Sequence, residues 1–294
     1  MSDSVVKKKI SELASQSRFE PQMRTVLVEG SEDRRVYSYL VDNCPSSCFL
    51  PIQFVDIPLP DVPRDGAGSG NRARVIEAAI QLKNHDANPD SIICIADTDL
   101  GFILDKGPQV QHILFYTDAT CLEVYYYNPS SIQRYLENYC GCSHLNAGEI
   151  LRELNPPLKL MMSIRIALTE LGIPISWIDN IELIGTLNGG IIFDQRKHLL
   201  KILGKSANVK RVAEVMARCE YWNSVVLHMP NHECIHGHDF INTLRSYLRI
   251  KGIANKRLDR EVFFPSFSVC GKITDFSKTQ TLSELQNFTS GHSS

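Results

Sequence analysis

The chain has 294 residues, of which 43% are hydrophobic and 22% are charged, and its formal net charge at pH 7 is -2. This length suits one large globular domain or two ordinary ones. The near-neutral charge excludes a protein that is basic throughout, so any contact with nucleic acid needs a local basic patch. No apolar run approaches the roughly 18 residues that a membrane helix requires.

The N-terminal segment, residues 1–23, lacks the apolar core of a signal peptide. Nine cysteines, an odd number, are scattered along the chain. Their spacings, such as Cys44-x3-Cys48 and Cys140-x-Cys142, differ from the paired C-x2-C arrangement of a structural zinc site. We therefore expect reduced thiols in a cytoplasmic protein.

The first half of the chain alternates apolar strand patterns with helical ones. Strands separated by helices of this length favour a parallel sheet with right-handed crossovers, flanked by helices, in an α/β fold. The predicted strands cover 25–29, 52–57, 91–97 and 112–116, and the predicted helices cover 31–43 and 71–85.

After about residue 119 the hydrophobic period becomes that of helices. Two of the predicted helices are separated at Pro156, and they cover 146–155 and 157–172. The sequence therefore predicts a sheet domain followed by a mainly helical companion region. The predicted divisions are an N-terminal segment at 1–23, a catalytic domain at 24–127, the companion region at 128–276 and a polar tail at 277–294.

Acidic residues follow two of the predicted strands, at the ends where parallel sheets carry their sites. Glu29 ends the first strand and Asp97 ends the third, while Asp99 shares a face with Asp97 if the extended conformation persists. Carboxylates this close repel one another unless a cation compensates them, and oxygen ligands suit Mg²⁺ or Mn²⁺. Asp33, in the first turn of the next helix, is a further candidate ligand. The alternative is that these acids are ordinary turn and cap residues.

Two stretches carry a resemblance to a known family. "VLVEGSEDRRVY", with "CIADTDLG" further along, resembles the Toprim fold over residues 24–127. This catalytic domain is shared by topoisomerases, primases and the overcoming-lysogenization-defect (OLD) nucleases. The resemblance implies that Glu29, Asp97 and Asp99 bind the metal. The spacing of Glu29 and Asp33 is similar to that of the OLD nucleases.

Two further stretches, "YTDATCLEVYYYNPSSI" and "CIHGHDFINTLRSYL", resemble a subfamily of Toprim-like proteins found beside ABC-type ATPases. This subfamily includes the nuclease effectors of the PARIS anti-phage systems. The resemblance extends loosely to about residue 250 and implies a metal-dependent ribonuclease that cleaves tRNA. It also implies an ABC-type ATPase partner that holds the chain inactive, and an active homodimer. A DNA nickase or endonuclease and a non-catalytic module that docks on the ATPase stay open as alternatives.

Two residues of the second half are candidate catalytic assistants. Glu123 follows the last predicted strand by about one helical turn and could reach the acidic edge, or it could be an exposed helical acid. His238, or its neighbour His236, could contact the scissile phosphate or assist proton transfer. The alternatives for the histidines are a zinc site with His232 and Cys234, or a helix start with surface histidines.

Two basic stretches could contact phosphate groups. The segment 65–75 places three glycines before the start of the predicted helix 71–85. Its backbone N–H groups could hold a phosphate, or the segment could be a flexible loop. It also contains Arg72 and Arg74, which supply local positive charge. Gly204-Lys205-Ser206 lacks the glycine that a P-loop requires five positions earlier, so we expect no intrinsic ATPase. The basic residues from 196 to 218 are either a nucleic-acid face or a solvated face.

Overall fold

A computed structural model describes residues 7–41, 47–57, 70–104, 107–174, 178, 181–186, 190–272 and 279–291. Contacts between residues divide the chain into two compact units. The sheet unit contains residues 1–119 and 276–294, and the helical unit contains residues 120–275. The sequence predicts the first boundary a few residues later, at 127, and assigns the C-terminal segment to neither domain.

The sheet unit confirms the predicted α/β fold with a parallel sheet and flanking helices. Its strands are β1 (Lys8–Lys9), β2 (Arg24–Val28), β3 (Ser47–Pro51), β4 (Val55–Asp56), β5 (Ile92–Ala96) and β6 (Leu114–Tyr116). Four of them form the parallel sheet, in the order β3-β2-β5-β6, and β1 pairs separately with β4, also in parallel. The central strands β2 and β5 pair in a register that sets Thr25 opposite Ile92 and Leu27 opposite Cys94.

The central strands are buried almost throughout, as is typical of strands in a parallel sheet that helices cover on both faces. Every residue of β5 is buried, and so are all but the first residue of β2. The helices of this unit are α1 (Ile10–Phe19), α2 (Ser31–Leu40), α3 (Asn71–Asn84) and, near the end of the chain, α11 (Gln280–Ser290). Among them, α3 buries half of its 14 residues.

The predicted strand at 52–57 is wrong. The edge strand of the sheet is Ser47–Pro51, residues Ile52–Phe54 form a 3-10 turn, and Val55–Asp56 pairs with β1 instead. Ile52 and Val55 are fully buried in the core of the sheet unit. Their apolar character therefore reflects burial in the core, and the pattern alone does not separate such a segment from a buried strand.

The C-terminal segment differs from the predicted polar tail, because residues Gln280–Ser290 form the helix α11. Leu282 and Leu285 are 2% and 1% exposed, and Thr281 and Thr289 are buried beside them. These four positions recur at helical spacing and form one buried face. The remaining positions are mostly polar and exposed, which is why the composition resembles that of a tail.

The helical unit confirms the prediction of a mainly helical companion region. Its longest helix, α5, runs without a break from Ala147 to Glu170 through Pro156 and Pro157, so the predicted pair of separate helices is wrong. The prolines remove two backbone hydrogen bonds, yet the buried apolar face on both sides keeps the helix in place. No helix in the described ranges is long and apolar enough to span a membrane. The elements are α4 (Pro129–Tyr135), α5 (Ala147–Glu170), β7 (Leu183–Gly185), β8 (Ile191–Phe193), α6 (Gln195–Lys205), α7 (Val212–Val226), α8 (Asn231–Cys234), α9 (Gly237–Ile250) and α10 (Arg260–Ser268).

Candidate active site at the carboxyl edge of the sheet

Glu29 and Asp97 lie together at the carboxyl edge of the sheet. Each directly follows the last residue of a strand, and those strands, β2 and β5, are hydrogen-bonded neighbours. The carboxylate oxygen Oε1 of Glu29 accepts a hydrogen bond of 2.9 Å from the backbone N–H of Asp97. The structure thus brings together the two residues that the sequence predicts to meet at this edge.

The surroundings of Glu29 favour its protonated form. Burial is the main cause and raises the pKa of Glu29 from 4.5 to about 7. The hydrogen bond from Asp97 and the positive charge of Arg72 lower this pKa, whereas the negative charges of Asp33 and Asp99 raise it. A further positive charge at this edge would stabilise the carboxylate form of Glu29.

Arg72 supplies positive charge to this edge. It lies in the first turn of α3, shortly after Gly70, whose φ of 103° is a conformation that favours glycine. Its Nε donates a 2.7 Å hydrogen bond to the carbonyl oxygen of Asp97, and its guanidinium lies 5.7 Å from the centre of the Tyr116 ring. Arg72 is therefore held beside the acids, where a guanidinium suits contact with a phosphate.

Arg74, the second arginine of the same turn, has a structural role. Its Nη2 donates hydrogen bonds of 3.2 Å and 2.8 Å to the carbonyl oxygens of Ile52 and Val55. These bonds tie α3 to the segment that follows β3. The sequence assigns local positive charge to both arginines, and the structure places only Arg72 beside Glu29. Residues 65–69 of the glycine-rich segment lie outside the described residues.

The turn after β5 separates Asp97 from Asp99. The extended conformation ends before Thr98, whose φ and ψ are -68° and -31°, and Asp99 has a left-handed φ of 53°. Thr98 is fully buried, and its N–H donates a 2.9 Å hydrogen bond to the hydroxyl of Thr117, while its own hydroxyl donates to the Thr117 carbonyl. Asp97 and Asp99 therefore do not share the strand face that an extended chain would give them, because Thr98 is anchored to the end of β6.

Asp33 closes the start of α2. Its Oδ2 accepts a 2.7 Å hydrogen bond from the backbone N–H of Gly30, so the side chain satisfies one of the donors at this helix terminus. The negative charge of Asp33 still acts on Glu29. The residue thus serves as a cap in the arrangement described, and its part in holding a metal stays a prediction.

The donor chemistry of this edge fits a hard divalent cation such as Mg²⁺ or Mn²⁺, because the nearby acidic side chains offer carboxylate oxygens. In the parts of the chain that are described, however, no three His, Cys, Asp or Glu side chains converge closely enough to hold a metal ion. The predicted ligands Glu29, Asp33, Asp97 and Asp99 are thus neighbours at one edge without forming a closed coordination cage. Their metal binding stays a prediction.

Glu123 belongs to the helical unit. It lies in the first turn of the 3-10 helix Leu122–Tyr126, is half-buried, and packs against the start of α9. A Cβ added at Gly237 would lie 2.6 Å from Oε2 of Glu123 and 2.4 Å from Sγ of Cys121. The absence of a side chain at Gly237 therefore makes room for Glu123. Whether Glu123 acts at the acidic edge stays a prediction.

His238 is exposed in the first turn of α9, and its ring stacks on that of His236 with 5.7 Å between the centroids. Cys234 is buried and its thiol donates to the carbonyl oxygens of Met229 and Pro230. No zinc-binding group is found here or elsewhere among the described residues. The histidines thus lie at a helix start, as one of the alternatives expects, and the catalytic role of His238 stays a prediction.

Four of the basic residues between 196 and 218 form local ion pairs with carboxylates of the same unit. These contacts neutralise much of the positive charge that the sequence offers for a nucleic-acid face and favour the alternative of a solvated face. The pairs are Lys197 and Lys201 with Glu182, Arg211 with Glu214, and Arg218 with Glu170.

Sequence reasoning missed the role of Asp118, which follows the edge strand β6. Its Oδ2 accepts a 2.7 Å hydrogen bond from the backbone N–H of Gln280, and its Oδ1 accepts one of 3.0 Å from the hydroxyl of Thr281. Its own N–H donates to the same hydroxyl at 3.0 Å. Asp118 thus fixes the start of α11 at the carboxyl edge of the sheet. The local signal for this helix start is Thr279 at the N-cap position, where threonine is common.

Comparisons with known proteins leave the family of the chain open, since no family model matches it and no curated protein matches it.

Proposed function

We propose that the chain is a metal-dependent phosphodiesterase of the Toprim type that cleaves nucleic acid. The observation that carries this proposal is the hydrogen bond between the Glu29 carboxylate and the Asp97 N–H at the carboxyl ends of two neighbouring parallel strands. Sites of parallel sheets form at such ends. Glu29, Asp97 and Asp99 would hold Mg²⁺ or Mn²⁺, with Asp33 as an additional ligand.

A divalent cation, when bound, supplies Lewis-acid activation of a phosphate and of the attacking oxygen. The residues of the chain perform the remaining tasks. Arg72, held by the Asp97 carbonyl, would orient a phosphate oxygen and stabilise its developing negative charge. Glu29 would orient the metal through one oxygen while the other is held by the Asp97 N–H. Glu123 and His238 of the helical unit would assist proton transfer.

The substrate that the subfamily resemblance favours is RNA, with tRNA as the target and arrest of translation in an infected cell as the outcome. Such a toxic activity in the cytoplasm requires restraint. We therefore propose an ABC-type ATPase that holds the chain inactive, and release of the chain as an active homodimer. A bias of 99 to 1 between a restrained and an active state requires only about 2.7 kcal/mol.

One observation favours a second candidate function. Asp33, one of the predicted metal ligands, is engaged as a helix cap. A non-catalytic module that keeps the fold and only docks on an ATPase would leave this carboxylate to that structural role. A DNA nickase or endonuclease is the rival within the same enzyme class.

The deciding experiment is cleavage by the purified chain. Labelled tRNA and supercoiled plasmid are incubated with the chain in Mg²⁺, in Mn²⁺ and in EDTA. We expect metal-dependent cleavage of tRNA, no cleavage by Glu29→Gln, and full cleavage by Glu32→Gln, because Glu32 is exposed and pairs with Arg35. Cleavage of plasmid alone would make the chain a DNA nuclease, and no cleavage of either substrate would favour the docking module.

The restraint is tested in cells. The chain is expressed alone and together with the candidate ATPase, followed by a growth assay and size-exclusion chromatography. We expect toxicity and a dimer for the chain alone, and a harmless complex with the ATPase. A harmless monomer that cuts no RNA under any metal condition would contradict the proposal.

A further inference from the structure

The sheet unit contains a cavity of about 290 Å³ at the edge opposite the acids. The strands β2, β5 and β6 begin at this edge, and α11 ends there. The volume lies close to the lower limit of small-ligand sites, which range from about 300 to 1,000 Å³. The cavity therefore suits a compact molecule.

Part of the surface of the cavity is apolar. Ile93 and Phe115 are the second residues of β5 and β6, which are hydrogen-bonded neighbours in the sheet. Ile93 is buried and Phe115 is partly buried. Phe288 lines the cavity from α11 and is also partly buried. These three side chains form the apolar lining of the cavity.

The helix α11 forms the wall that faces the sheet. Its residues Glu284, Asn287 and Phe288 line the cavity together with Gly291, which directly follows the helix. Residues three and four positions apart lie on the same side of a helix, so these positions form one stripe. The buried face of α11 and the hydrogen bonds of Asp118 fix this helix in the sheet unit. The cavity is therefore a fixed part of that unit.

Arg24 brings a positive charge to the cavity. A Cβ added at Gly291 would lie 2.8 Å from the guanidinium of Arg24, so the missing side chain of Gly291, whose φ is 82°, leaves the guanidinium its place beside the helix end. In the described parts of the chain, this guanidinium donates no hydrogen bond and forms no ion pair. Its N–H groups are therefore available to a carboxylate, which a guanidinium binds through two parallel hydrogen bonds.

Two carboxylates line the same cavity, and neither pairs with Arg24. Asp90 is exposed and precedes β5, whereas Glu284 is half-buried on α11. Within the described ranges, the Asp90 carboxylate accepts no hydrogen bond, and Glu284 accepts one only through Oε1, 2.7 Å from Nε2 of Gln280. Charges of both signs thus line the cavity without neutralising each other.

This combination restricts the class of ligand. The two carboxylates repel a phosphate or any other multiply charged anion, and Arg24 repels a simple cation. The apolar lining favours a ligand that covers it with an apolar group. A compact molecule that carries one negative charge, one positive charge and an apolar side chain meets all three conditions.

We propose that this cavity binds a free α-amino acid with an apolar side chain, such as leucine or phenylalanine. Its carboxylate binds the guanidinium of Arg24, and its ammonium group binds Glu284 and Asp90. Its side chain lies against the apolar lining. None of these residues belongs to the acidic edge, so the site is separate from the proposed nuclease site. Because α11 forms one wall, the bound amino acid also fastens α11 to the sheet.

The test is isothermal titration of the full chain with L-leucine and with L-phenylalanine. We expect one site per chain for at least one of the two. The analogues of phenylalanine are 3-phenylpropionate, which lacks the ammonium group, and 2-phenylethylamine, which lacks the carboxylate. Corresponding analogues of leucine are 4-methylpentanoate and 3-methylbutylamine. Each analogue should bind at least about tenfold more weakly than its amino acid, because it loses one charge-assisted contact.

Variants of the chain locate the site. Arg24→Gln and Glu284→Gln should each weaken binding of the amino acid about tenfold or more. The matched control is Arg34→Gln, which removes an exposed arginine of the same unit that does not line the cavity. The melting temperature of each variant checks its folding, and Glu284→Gln, which keeps the size of the side chain, decides the question if Arg24→Gln is unstable.

Hydrogen exchange provides a second measurement. The bound amino acid should slow the exchange of backbone amides at 284–290, since it bridges α11 and the sheet. The proposal is overturned if neither amino acid binds, or if both cavity variants bind it as tightly as the unchanged chain. Equal binding of an amino acid and of its analogue without the ammonium group would also overturn it, because the ligand would then be a simple carboxylate.

Discussion

At the scale of single residues, Glu29 has the most informative surroundings, because its burial opposes its charge. The pKa of Glu29 is raised from 4.5 to about 7, so the folded chain binds this proton more tightly than the unfolded chain. The free energy of unfolding therefore decreases as pH rises from 4.5 to above 7. A site that destabilises its own protein in this way is typical of function.

We expect Glu29→Gln to stabilise the chain at pH 8 in EDTA by up to about 3 kcal/mol, while abolishing cleavage. The gain should shrink as pH falls from 7 toward 4.5, because Glu29 of the folded chain takes up its proton in this range while Glu29 of the unfolded chain is still mostly ionised. Urea unfolding at pH 5 and pH 8 measures it, with the exposed Glu32→Gln as control. An equal effect of Glu29→Gln at the two pH values would contradict the assignment.

His198 is a second buried titratable residue, in the helical unit. Burial is the main cause that lowers the pKa of His198 from 6.5 to about 4, with the charges of Arg165 and Lys201 adding to it and that of Asp239 opposing it. The stability that the neutral ring contributes is present above pH 6.5 and is lost as pH falls toward 4.

We expect His198→Gln to reduce this acid sensitivity. The unchanged chain should lose about 2 kcal/mol more than the variant between pH 7.5 and pH 5, because His198 takes up a proton on unfolding and glutamine does not. Unfolding in urea at the two pH values provides the comparison. Identical losses in both chains would show that other groups control the loss of stability in acid.

At the scale of elements, the start of α9 depends on the absence of a side chain. A Cβ at Gly237 would lie 2.4 Å from Sγ of Cys121 and 2.6 Å from Oε2 of Glu123. The N–H of Gly237 also donates to the Cys121 sulfur at 3.1 Å. The segment 121–123 and the first turn of α9 are thus packed as one body.

We expect Gly237→Ala to lower the free energy of unfolding by about 1 to 3 kcal/mol, since overpacking of this size forces the backbone apart. Gly204→Ala is the control, because Gly204 lies in α6 with nothing within 4 Å of an added Cβ. That control should raise stability by about 0.5 to 1 kcal/mol through helix propensity. Two variants of equal stability would show that the close packing at Gly237 does not limit stability.

Some elements of the sheet unit can be predicted from the sequence, and others cannot. The strands that end at Glu29 and Asp97 were predictable, because a fully apolar run that stops at an acid is typical of a central parallel strand with a site at its end. The predicted strand 52–57 differs from the edge strand β3, because Ile52 and Val55 lie outside β3 and are nevertheless as buried as strand residues. The roles of Arg72 and Asp118 depend on contacts between distant segments, which no local pattern contains.

At the scale of the whole molecule, the sheet unit is completed by the end of the chain. The helix α11 starts on Asp118 at the carboxyl edge of the sheet and ends beside Arg24, where a Cβ at Gly291 would lie 2.8 Å from the guanidinium. It therefore spans the sheet from the edge of the acids to the opposite edge. Leu282 and Leu285 are its buried anchors.

We expect Leu285→Ala to destabilise the chain by about 2 to 4 kcal/mol, because it removes a fully buried leucine from this contact. Gln286→Ala, at an exposed position of the same helix, should have little effect. Thermal unfolding measures both, and hydrogen exchange of the strands shows whether the loss spreads to the sheet. A loss below about 1 kcal/mol for Leu285→Ala would mean that α11 contributes little.

The order of the segments along the chain has a consequence for biosynthesis. A ribosome makes β2, β5 and β6 first, then the whole helical unit, and only then α11. Domains fold as units while they are made, but this sheet lacks one covering helix until α11, which follows the whole helical unit along the chain, has left the ribosome. If the chain cleaves tRNA as proposed, its catalytic sheet is therefore completed only after the helical unit has been made, although all the predicted metal ligands are made before it.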